Sequence, residues 1–348
     1  MTDHSSQAAS HEVRRAINAR GGRLRFDEFV SLALYGENGF YNNAGRAGRR
    51  GDFITSPEVG PLFGVVLSRA LDTWWDLLGR PDPFTVVDVG AGPGTLGRAV
   101  LAAGPRCTPA LRYVAVEVSA AQRKLHSAGV DSRAEMPAEP FIGIIIANEL
   151  LDNLPFRLFV FDDGWREAFV LAEGERFVER LVSVADAPEC LPAVAAHGAR
   201  VAVHDAATRW VGHALSLLVA GRLVVLDYCT TSTEMARRPW REWLRTYSEH
   251  ERGVHYLQSV GMQDITTEVA TDQLPTPTKI RTQVEFLREF GIDELVEEGR
   301  TVWQSAAASP NVAALTMRSR VREAEALCDP NGLGGFNVIE WCRSSKLS

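Results

Sequence analysis

The fold of this chain is decided by residues 86–96, which read Val86-Val87-Asp88-Val89-Gly90-Ala91-Gly92-Pro93-Gly94-Thr95-Leu96. A mostly apolar run, typical of a buried strand, leads into three closely spaced glycines, and a helical pattern follows. Glycine allows a tight turn and the close approach of a ligand, because it has no Cβ atom. The first N–H groups of the helix can bind a carboxylate or a phosphate. The stretch therefore predicts a strand, a ligand-binding loop at Gly90, Gly92 and Gly94, and a helix.

Short apolar segments alternate with helical patterns around this loop. The spacing predicts strands over residues 85–89, 113–118, 141–147 and 222–226, and helices over 95–103 and 120–128. Alternation of this kind is typical of βαβ units and a parallel sheet. The sequence therefore predicts an α/β fold.

Other parts of the chain depart from this alternation. Apolar spacing predicts helices around residues 13–17, 26–34 and 57–78 before the sheet. Residues 158–183 alternate in period two and predict antiparallel strands, and residues 231–258 are polar and aromatic and predict helices. We therefore divide the chain into an N-terminal helical and lid segment, 1–80, and a core, 81–348, with insertions at about 158–200 and 231–258.

Two acidic residues indicate which nucleotide cofactor the loop binds. Asp88 lies just before the loop, where it would repel a pyrophosphate, and Thr95 stands where a dinucleotide fingerprint needs its third glycine. Both features favour S-adenosylmethionine, whose zwitterionic end places an ammonium group within reach of Asp88. Glu117 ends the second strand and can accept hydrogen bonds from both ribose hydroxyls. We predict S-adenosylmethionine as the cofactor, with a nicotinamide-dependent dehydrogenase as the disfavoured alternative.

Polar residues follow the third strand at the edge where open α/β sheets bind ligands. Asn148 is a candidate to bind the cofactor. Glu149 and Asp152 would share one face if a helix began there, and two carboxylates beside a sulfonium methyl group suit a planar guanidinium as the acceptor. The alternative is that both carboxylates only stabilise a helix start through its dipole.

Composition narrows the partners and the compartment. The net charge of −7 argues against a nucleic-acid binder and leaves room for a basic protein segment. Five cysteines without a CxxC pair argue against a disulfide framework and a zinc site, so no metal is predicted and a reducing, cytoplasmic location is expected. The longest apolar stretches are too short or too interrupted to span a bilayer.

These residues resemble the MidA family of class I methyltransferases, which includes the mitochondrial arginine methyltransferase that assists respiratory complex I assembly. The resemblance extends over nearly the whole chain, and the Gly51–Glu58 run is its most specific motif. The motifs that carry it are Gly39-Phe40-Tyr41, Gly51-Asp52-Phe53-Ile54-Thr55-Ser56-Pro57-Glu58, the glycine loop, Asn148-Glu149-Leu150-Leu151-Asp152-Asn153-Leu154-Pro155, Asp227-Tyr228, Arg245-Thr246-Tyr247-Ser248-Glu249-His250, Gln263-Asp264-Ile265-Thr266 and Gly332-Leu333-Gly334-Gly335-Phe336-Asn337-Val338.

The resemblance implies a Rossmann-like, mostly parallel seven-stranded sheet with an N-terminal helical segment and an inserted helical and antiparallel subdomain. The known methyl acceptor of the family's mitochondrial members is a protein arginine. Phe53 and Thr55 are candidates for a lid that contacts the cofactor, and candidates to bind the acceptor are Tyr41, Tyr247 and His250. The alternatives without a functional role are an ordinary connecting loop for Phe53 and Thr55, and the packed face of an inserted helix for the residues around His250.

The chain departs from the family pattern at Leu150, Leu151 and Cys229, where the family has two aromatic residues and a glycine. These departures concern the acceptor pocket more than the cofactor site. Methylation of a small molecule or of another protein side chain, and a non-catalytic S-adenosylmethionine-binding assembly factor, therefore stay open as alternatives. A homodimer is a further possible assembly.

Overall fold

The structure is a computed structural model that describes residues 2–43, 55–248, 251–306, 309 and 311–344. Its α-helices are α1 (Thr2–Ala19), α2 (Phe26–Tyr35), α3 (Phe40–Asn43), α4 (Ser56–Val59), α5 (Pro61–Leu77), α6 (Thr95–Ala103), α7 (Ala120–Arg123), α8 (Asp205–Ser216), α9 (Ser232–Arg237), α10 (Trp240–Trp243), α11 (Gln283–Glu289), α12 (Ile292–Ala306) and α13 (Val312–Leu327). Short 3₁₀ turns occupy Leu151–Asn153, Thr271–Gln273 and Leu333–Gly335.

The strands are short, as expected for an α/β protein. They are β1 (Leu24–Arg25), β2 (Phe84–Val89), β3 (Leu111–Val116), β4 (Asp131–Arg133), β5 (Phe141–Asn148), β6 (Arg157–Phe161), β7 (Trp165–Glu173), β8 (Arg176–Ser183), β9 (Arg200–Val203), β10 (Leu218–Asp227), β11 (Cys229–Thr230), β12 (Leu244–Ser248), β13 (Glu251–Arg252), β14 (Asp264–Thr267), β15 (Val269–Ala270), β16 (Lys279–Thr282) and β17 (Asn337–Arg343).

The chain packs as two compact units, each with its own hydrophobic core. Unit 1 contains Met1–Phe53, Leu150–His213 and Asp227–Thr276, and unit 2 contains Ile54–Glu149, Ala214–Leu226 and Pro277–Ser348. This division differs from the predicted boundary at residues 80 and 81, because α4 and α5 pack within the same unit as the main sheet.

Unit 2 is built on a seven-stranded sheet in the order β16-β17-β10-β5-β2-β3-β4. Strands β10, β5, β2, β3 and β4 run parallel, and β16 pairs antiparallel with β17. Every residue of β2 is buried, as expected for a central strand covered on both faces. The register pairs Val89 with Val116 and with Ala147, so the carboxyl ends of β2, β3 and β5 lie at one edge of the sheet.

Unit 1 carries the antiparallel structure. Strands β1, β7, β6 and β9 form a sheet in that order, with β8 pairing with β7, and a smaller sheet has the order β13-β12-β14. The antiparallel pairs β6–β7 and β7–β8 confirm the prediction for residues 158–183, with the turn at residues 162–164. Helices α1 and α2 contribute Val13, Ile17 and Phe26 to this core, as the apolar spacing predicts.

Three predicted helices are shorter than the sequence indicates. Gly60 separates α4 from α5, and α7 ends at Arg123 instead of continuing to residue 128. The helical prediction for 231–258 is wrong beyond Trp243, because strand β12 pairs antiparallel with both β13 and β14. Pairing across the sheet there outweighs local helix propensity.

Within the described ranges, no helix combines the length and the apolar character required to cross a membrane.

Candidate active site

The glycine loop of unit 2 adopts a backbone that only glycine accepts easily. The φ angles are +73° at Gly90, +52° at Gly92 and +75° at Gly94, all in the left-handed region that strains other residues. A Cβ atom built on Gly92 would meet no atom of the described residues within 4 Å, so none of these residues fills the space beside it. Gly94 is the N-cap of α6, and the loop therefore ends at a helix N-terminus.

Polar contacts fix this loop against the end of β3. The backbone N–H of Gly92 donates to Glu117 Oε2 at 3.0 Å, and the Ser119 N–H donates to Glu117 Oε1 at 2.8 Å. His126 Nε2 lies 2.9 Å from the carbonyl oxygen of Gly92, and its Nδ1 lies 2.8 Å from Ser132 Oγ. Since a carbonyl only accepts, Nε2 carries a proton and donates it to Gly92. The predicted ribose ligand Glu117 is thus held at the glycine loop.

Asp88 lies within β2, beneath the loop. Its side chain is buried, and the hydroxyl of Tyr113 donates to Asp88 Oδ2 at 3.0 Å. Burial, and secondarily the charge of Glu117, raises the pKa of Asp88 to about 7, although the tyrosine hydrogen bond opposes this rise. Its contact with the ammonium group of the cofactor stays a prediction.

The end of β5 carries a strained residue and an unsatisfied one. Glu149 has a φ of +51°, which is uncommon for a residue other than glycine, and its N–H donates to the carbonyl of Leu226 at 2.8 Å. Asn148 Nδ2 donates to Glu149 Oε1 at 3.1 Å. Asn148 Oδ1 is buried and has no hydrogen-bond partner within the described part of the chain. Strain and orphaned polar atoms of this kind concentrate at functional sites.

The left-handed backbone at Glu149 also overturns one expectation. Glu149 and Asp152 were predicted to share a helix face, but only a 3₁₀ turn, Leu151–Asn153, follows the strand. The helix-start alternative is wrong for Glu149 for the same reason, whereas Asp152 does lie in the 3₁₀ turn. A residue with a positive φ cannot belong to a right-handed helix.

Asp152 belongs to the interior of unit 1. It is buried, and the hydroxyl of Thr266 donates to Asp152 Oδ2 at 2.6 Å. Burial raises the pKa of Asp152 to about 6, against the hydrogen bond from Thr266. Its other oxygen, Oδ1, has no hydrogen-bond partner among the residues that the structure describes.

The structure brings two further predicted residues together around Asp264, also in unit 1. The Tyr41 hydroxyl lies 3.3 Å and 3.4 Å from the two carboxyl oxygens of Asp264, and Tyr247 pairs with Asp264 across β12 and β14. Directly paired residues of antiparallel strands have side chains on the same face. Asp264 lies in the Gln263-Asp264-Ile265-Thr266 motif of the family resemblance, but it was weighed against a turn residue at a strand edge and was not selected as a site residue. The structure places it at the start of β14, whose four residues are all buried.

Three predicted site residues remain, and the structure describes only one of them. Thr55 is buried at the N-cap of α4 in unit 2, while Phe53 and His250 lie outside the described residues. Within the described ranges, no three His, Cys, Asp or Glu side chains are grouped as a metal ion would require.

The residues at the sheet edge of unit 2 fit S-adenosylmethionine. The space at Gly92, which no described residue fills, leaves room for the ligand, and Asn148 Oδ1 can accept a hydrogen bond that no described residue donates. Glu117 is a carboxylate at the strand end where a ribose hydroxyl would donate. The predicted cofactor therefore agrees with the donors and acceptors available.

Comparisons with known proteins agree with this interpretation. Residues 66–288, or 223 of 348, match the family described as "Putative S-adenosyl-L-methionine-dependent methyltransferase". The protein arginine methyltransferase NDUFAF7 homolog of Drosophila melanogaster is 48% identical over 63 residues, which are 18% of this chain and 14% of that protein. The mitochondrial protein arginine methyltransferase NDUFAF7 of Danio rerio is 22% identical over 307 residues, covering 74% of this chain and 71% of that protein.

The structural comparison covers almost the entire chain. A crystal structure of a COG1565 superfamily member from Burkholderia thailandensis, bound to S-adenosyl-homocysteine, has a TM-score of 0.83 and 26% identity. The alignment covers 98% of this chain and 93% of that one. These findings confirm the predicted fold class and the predicted cofactor. The chain belongs to the family of S-adenosylmethionine-dependent methyltransferases that its sequence resembles.

Proposed function

We propose that this protein transfers the methyl group of S-adenosylmethionine to an arginine side chain of a protein acceptor. The observation that carries the proposal is Asp152, a buried carboxylate with an oxygen that no described residue satisfies. A buried acceptor of this kind suits a cation that brings its own hydrogen-bond donors. The relatives from Drosophila melanogaster and Danio rerio that are named protein arginine methyltransferases support the same acceptor.

In this proposal, the cofactor supplies a methyl group on a positively charged sulfur. Glu117 binds the ribose hydroxyls, Asn148 Oδ1 accepts a hydrogen bond from the ligand, and the loop glycines leave room for it. Glu149 and Asp152 bind the guanidinium and orient one nitrogen. As the nitrogen–carbon bond forms and the sulfur–carbon bond breaks, the guanidinium nitrogen loses a proton, which a carboxylate can accept.

Two features of the assembly stay predictions. We expect a reducing, cytoplasmic location from the cysteine pattern, and a homodimer is a further assembly to be tested. Neither is needed for the chemistry proposed for Glu149 and Asp152.

The proposal is tested with purified protein, S-adenosylmethionine carrying a labelled methyl group, and a cell extract as the source of acceptors. We expect label in protein, recovered as methylarginine after hydrolysis and mass spectrometry. The Gly92→Val variant serves as the control without cofactor binding. Label confined to low-mass products would favour a small-molecule acceptor, and label on another side chain would overturn the arginine assignment. Cofactor binding without any transfer would favour an assembly factor.

A further inference from the structure

Two carboxyl groups from distant segments meet in the interior of unit 1. Asp152 is 4% exposed and Asp264 is 2% exposed. Asn153 Nδ2 lies 3.1 Å and 3.2 Å from the two oxygens of Asp264, and the Tyr41 hydroxyl provides a longer contact. Thr266 supplies the hydrogen bond to Asp152 Oδ2. All these donors are neutral, so they satisfy three of the four carboxyl oxygens without compensating the charge of the carboxylates.

Neither carboxyl forms an ion pair within the part of the chain that the structure describes. The nearby cation is Arg245, but its Nη2 lies 3.0 Å from Glu268, which also pairs with Arg238. A buried carboxylate that lacks a cation is costly, and it retains a proton instead. Burial raises the pKa of Asp264 to about 7, and the charge of Asp152 adds to this rise.

The surroundings of the pair are acidic and aromatic. Charged and titratable groups face the pair from each element packed against it. These groups are Tyr35 of α2, Tyr41 of α3, Asp227 of β10, Cys229 of β11, Arg245 and Tyr247 of β12, and Glu268 after β14. The cluster contains two arginines, 238 and 245, and a larger number of carboxyl groups. Its positive charges are therefore fewer than its carboxyl groups. The rings of Tyr35 and Tyr41 stack at 5.4 Å and add a flat apolar surface.

We propose that Asp152 and Asp264 together bind the guanidinium group of the acceptor arginine, and that the empty pair shares a proton which is released when the cation binds. The proposal rests on the proposed function for the identity of the acceptor. A guanidinium presents a planar fork of five N–H donors, which can reach two carboxyl groups at once. The unpartnered Asp152 Oδ1 is the acceptor that this fork would satisfy.

The proton release follows from electrostatics. Two neighbouring buried carboxyl groups cannot both ionise easily, so the pair titrates in two coupled steps. A bound cation stabilises the doubly ionised state and lowers the pKa of both titration steps. Ligand binding should therefore release up to about one proton near pH 6.5 and almost none near pH 8.5.

The test is a pH titration of the full-length protein with ¹³C-labelled aspartate side chains, followed by NMR. In the protein alone, we expect Asp152 and Asp264 to titrate well above the usual range of aspartate. Addition of ethylguanidinium should lower both titrations by at least about one unit, whereas ethylammonium should have less effect. Asp88 is the internal control, because it is also buried with a raised pKa but lies in unit 2. Titrations near pH 4, or titrations that ethylguanidinium leaves unchanged, would overturn the proposal.

A kinetic test uses Asp264→Asn, which keeps the shape of the side chain. We expect KM for an arginine peptide to rise at least about tenfold and the acidic limb of the pH profile to change, with the cofactor Kd within about twofold of wild type. Tyr41→Phe, which keeps the carboxyl pair, provides a milder variant if Asp264→Asn does not fold, and it should raise KM by a few-fold. Unchanged KM and pH profile in a folded variant would remove Asp264 from the acceptor site.

The outcomes separate this inference from the proposed function. An ethylguanidinium-dependent titration shift without any arginine methylation would leave the pair as a cation site and overturn the function. Arginine methylation that is unaffected by Asp264→Asn would support the proposed function and overturn the carboxyl pair as its acceptor site.

Discussion

The glycine loop of unit 2 and the carboxyl pair of unit 1 differ in how far apart their parts lie along the chain. Gly92 and its partner Glu117 are 25 residues apart, and the three glycines are almost consecutive. Contacts of the carboxyl pair join residues 111, 114 and 223 positions apart. Consecutive residues constrain one another through the backbone, whereas distant residues meet only after folding. The loop can therefore be inferred from sequence, and the pair cannot.

The two regions nevertheless share a physical feature. Each contains an aspartate, Asp88 or Asp264, whose pKa is raised to about 7 mainly by burial. Asp88 has a tyrosine donor and one acidic neighbour, whereas Asp264 lies beside Asp152, which has an unpartnered oxygen. Burial alone thus does not distinguish the two sites, and the difference lies in which hydrogen bonds the described residues leave unmade.

The largest expected effect is at the glycine loop. We expect Gly92→Val to reduce cofactor affinity by at least about 10³-fold, because the side chain fills space that is open for the ligand and strains a left-handed backbone. Isothermal titration calorimetry with S-adenosyl-homocysteine measures this change.

The matched control for that variant is Gly104→Val. Gly104 also has a positive φ, of +63°, and open space around its Cβ position, but it lies at the far end of α6. A nine-residue helix separates the two glycines by about 13 Å. The control should lose stability and retain cofactor affinity. Equal loss of affinity in both variants would show that strain, and not the filled space, is responsible.

The next effect concerns stability and its dependence on pH. The Asp88 carboxyl ionises near pH 4 in the unfolded chain but near pH 7 in the folded one, so stability falls as the pH rises through this window. One pKa unit corresponds to about 1.4 kcal/mol, which gives a limit of about 4 kcal/mol for this group. We expect Asp88→Asn to be more stable than wild type at pH 8.5, and the difference to shrink towards pH 5.

Urea unfolding at the two pH values, without cofactor, measures that difference. Glu139→Gln provides the control, because it removes an exposed carboxyl group of the same unit. A stability gain of the same size at pH 5 and pH 8.5 would contradict the assignment of a raised pKa. Asp264→Asn should show the same pH trend, but only that variant should also affect guanidinium binding.

A smaller effect is expected at Glu149. We expect Glu149→Gln to lower kcat/KM for an arginine acceptor on the order of 10²-fold with nearly unchanged cofactor affinity, because one carboxylate–guanidinium pair is lost. Glutamine can keep the hydrogen bond from Asn148 Nδ2, so the local structure should persist. Steady-state kinetics with Glu135→Gln, an exposed residue, as the control would decide this. Equal turnover in the Glu149 variant and wild type would remove this residue from the reaction.

The smallest effect is expected at His126, which was not predicted from sequence. We expect His126→Ala to raise the cofactor Kd by about three- to tenfold, because the carbonyl of Gly92 loses its donor and the loop is less well ordered. Ser132→Ala should cause a fraction of this rise, because it removes only the second contact of the imidazole. Calorimetry that shows no change in either variant would mean that the glycines alone order the loop.

Features that depend on residues close together along the chain were predicted from the sequence more often than features that depend on distant residues. Four of the five parallel strands were predicted, because continuous apolar runs are required wherever both faces are buried. The short polar edge strand β4 was not predicted. The stretch that contains Tyr247 was predicted as helix, yet it forms β12, because it pairs with β14, whose residues lie 17 to 23 positions further along the chain. Asp152 was selected as a site residue, whereas Asp264, although it lies in a family motif, was not.

The sequence by itself determined the turn that joins β2 to α6 and the need for glycine at residues 90, 92 and 94. It also determined the acidic residue Glu117, which follows the neighbouring strand β3. Those features depend on backbone sterics and on charges close together along the chain. Only the tertiary structure decided that Asp152 and Asp264 share one interior and that Asn148 keeps an unsatisfied oxygen. Burial and desolvation are collective properties of the packed chain, so no local pattern encodes them.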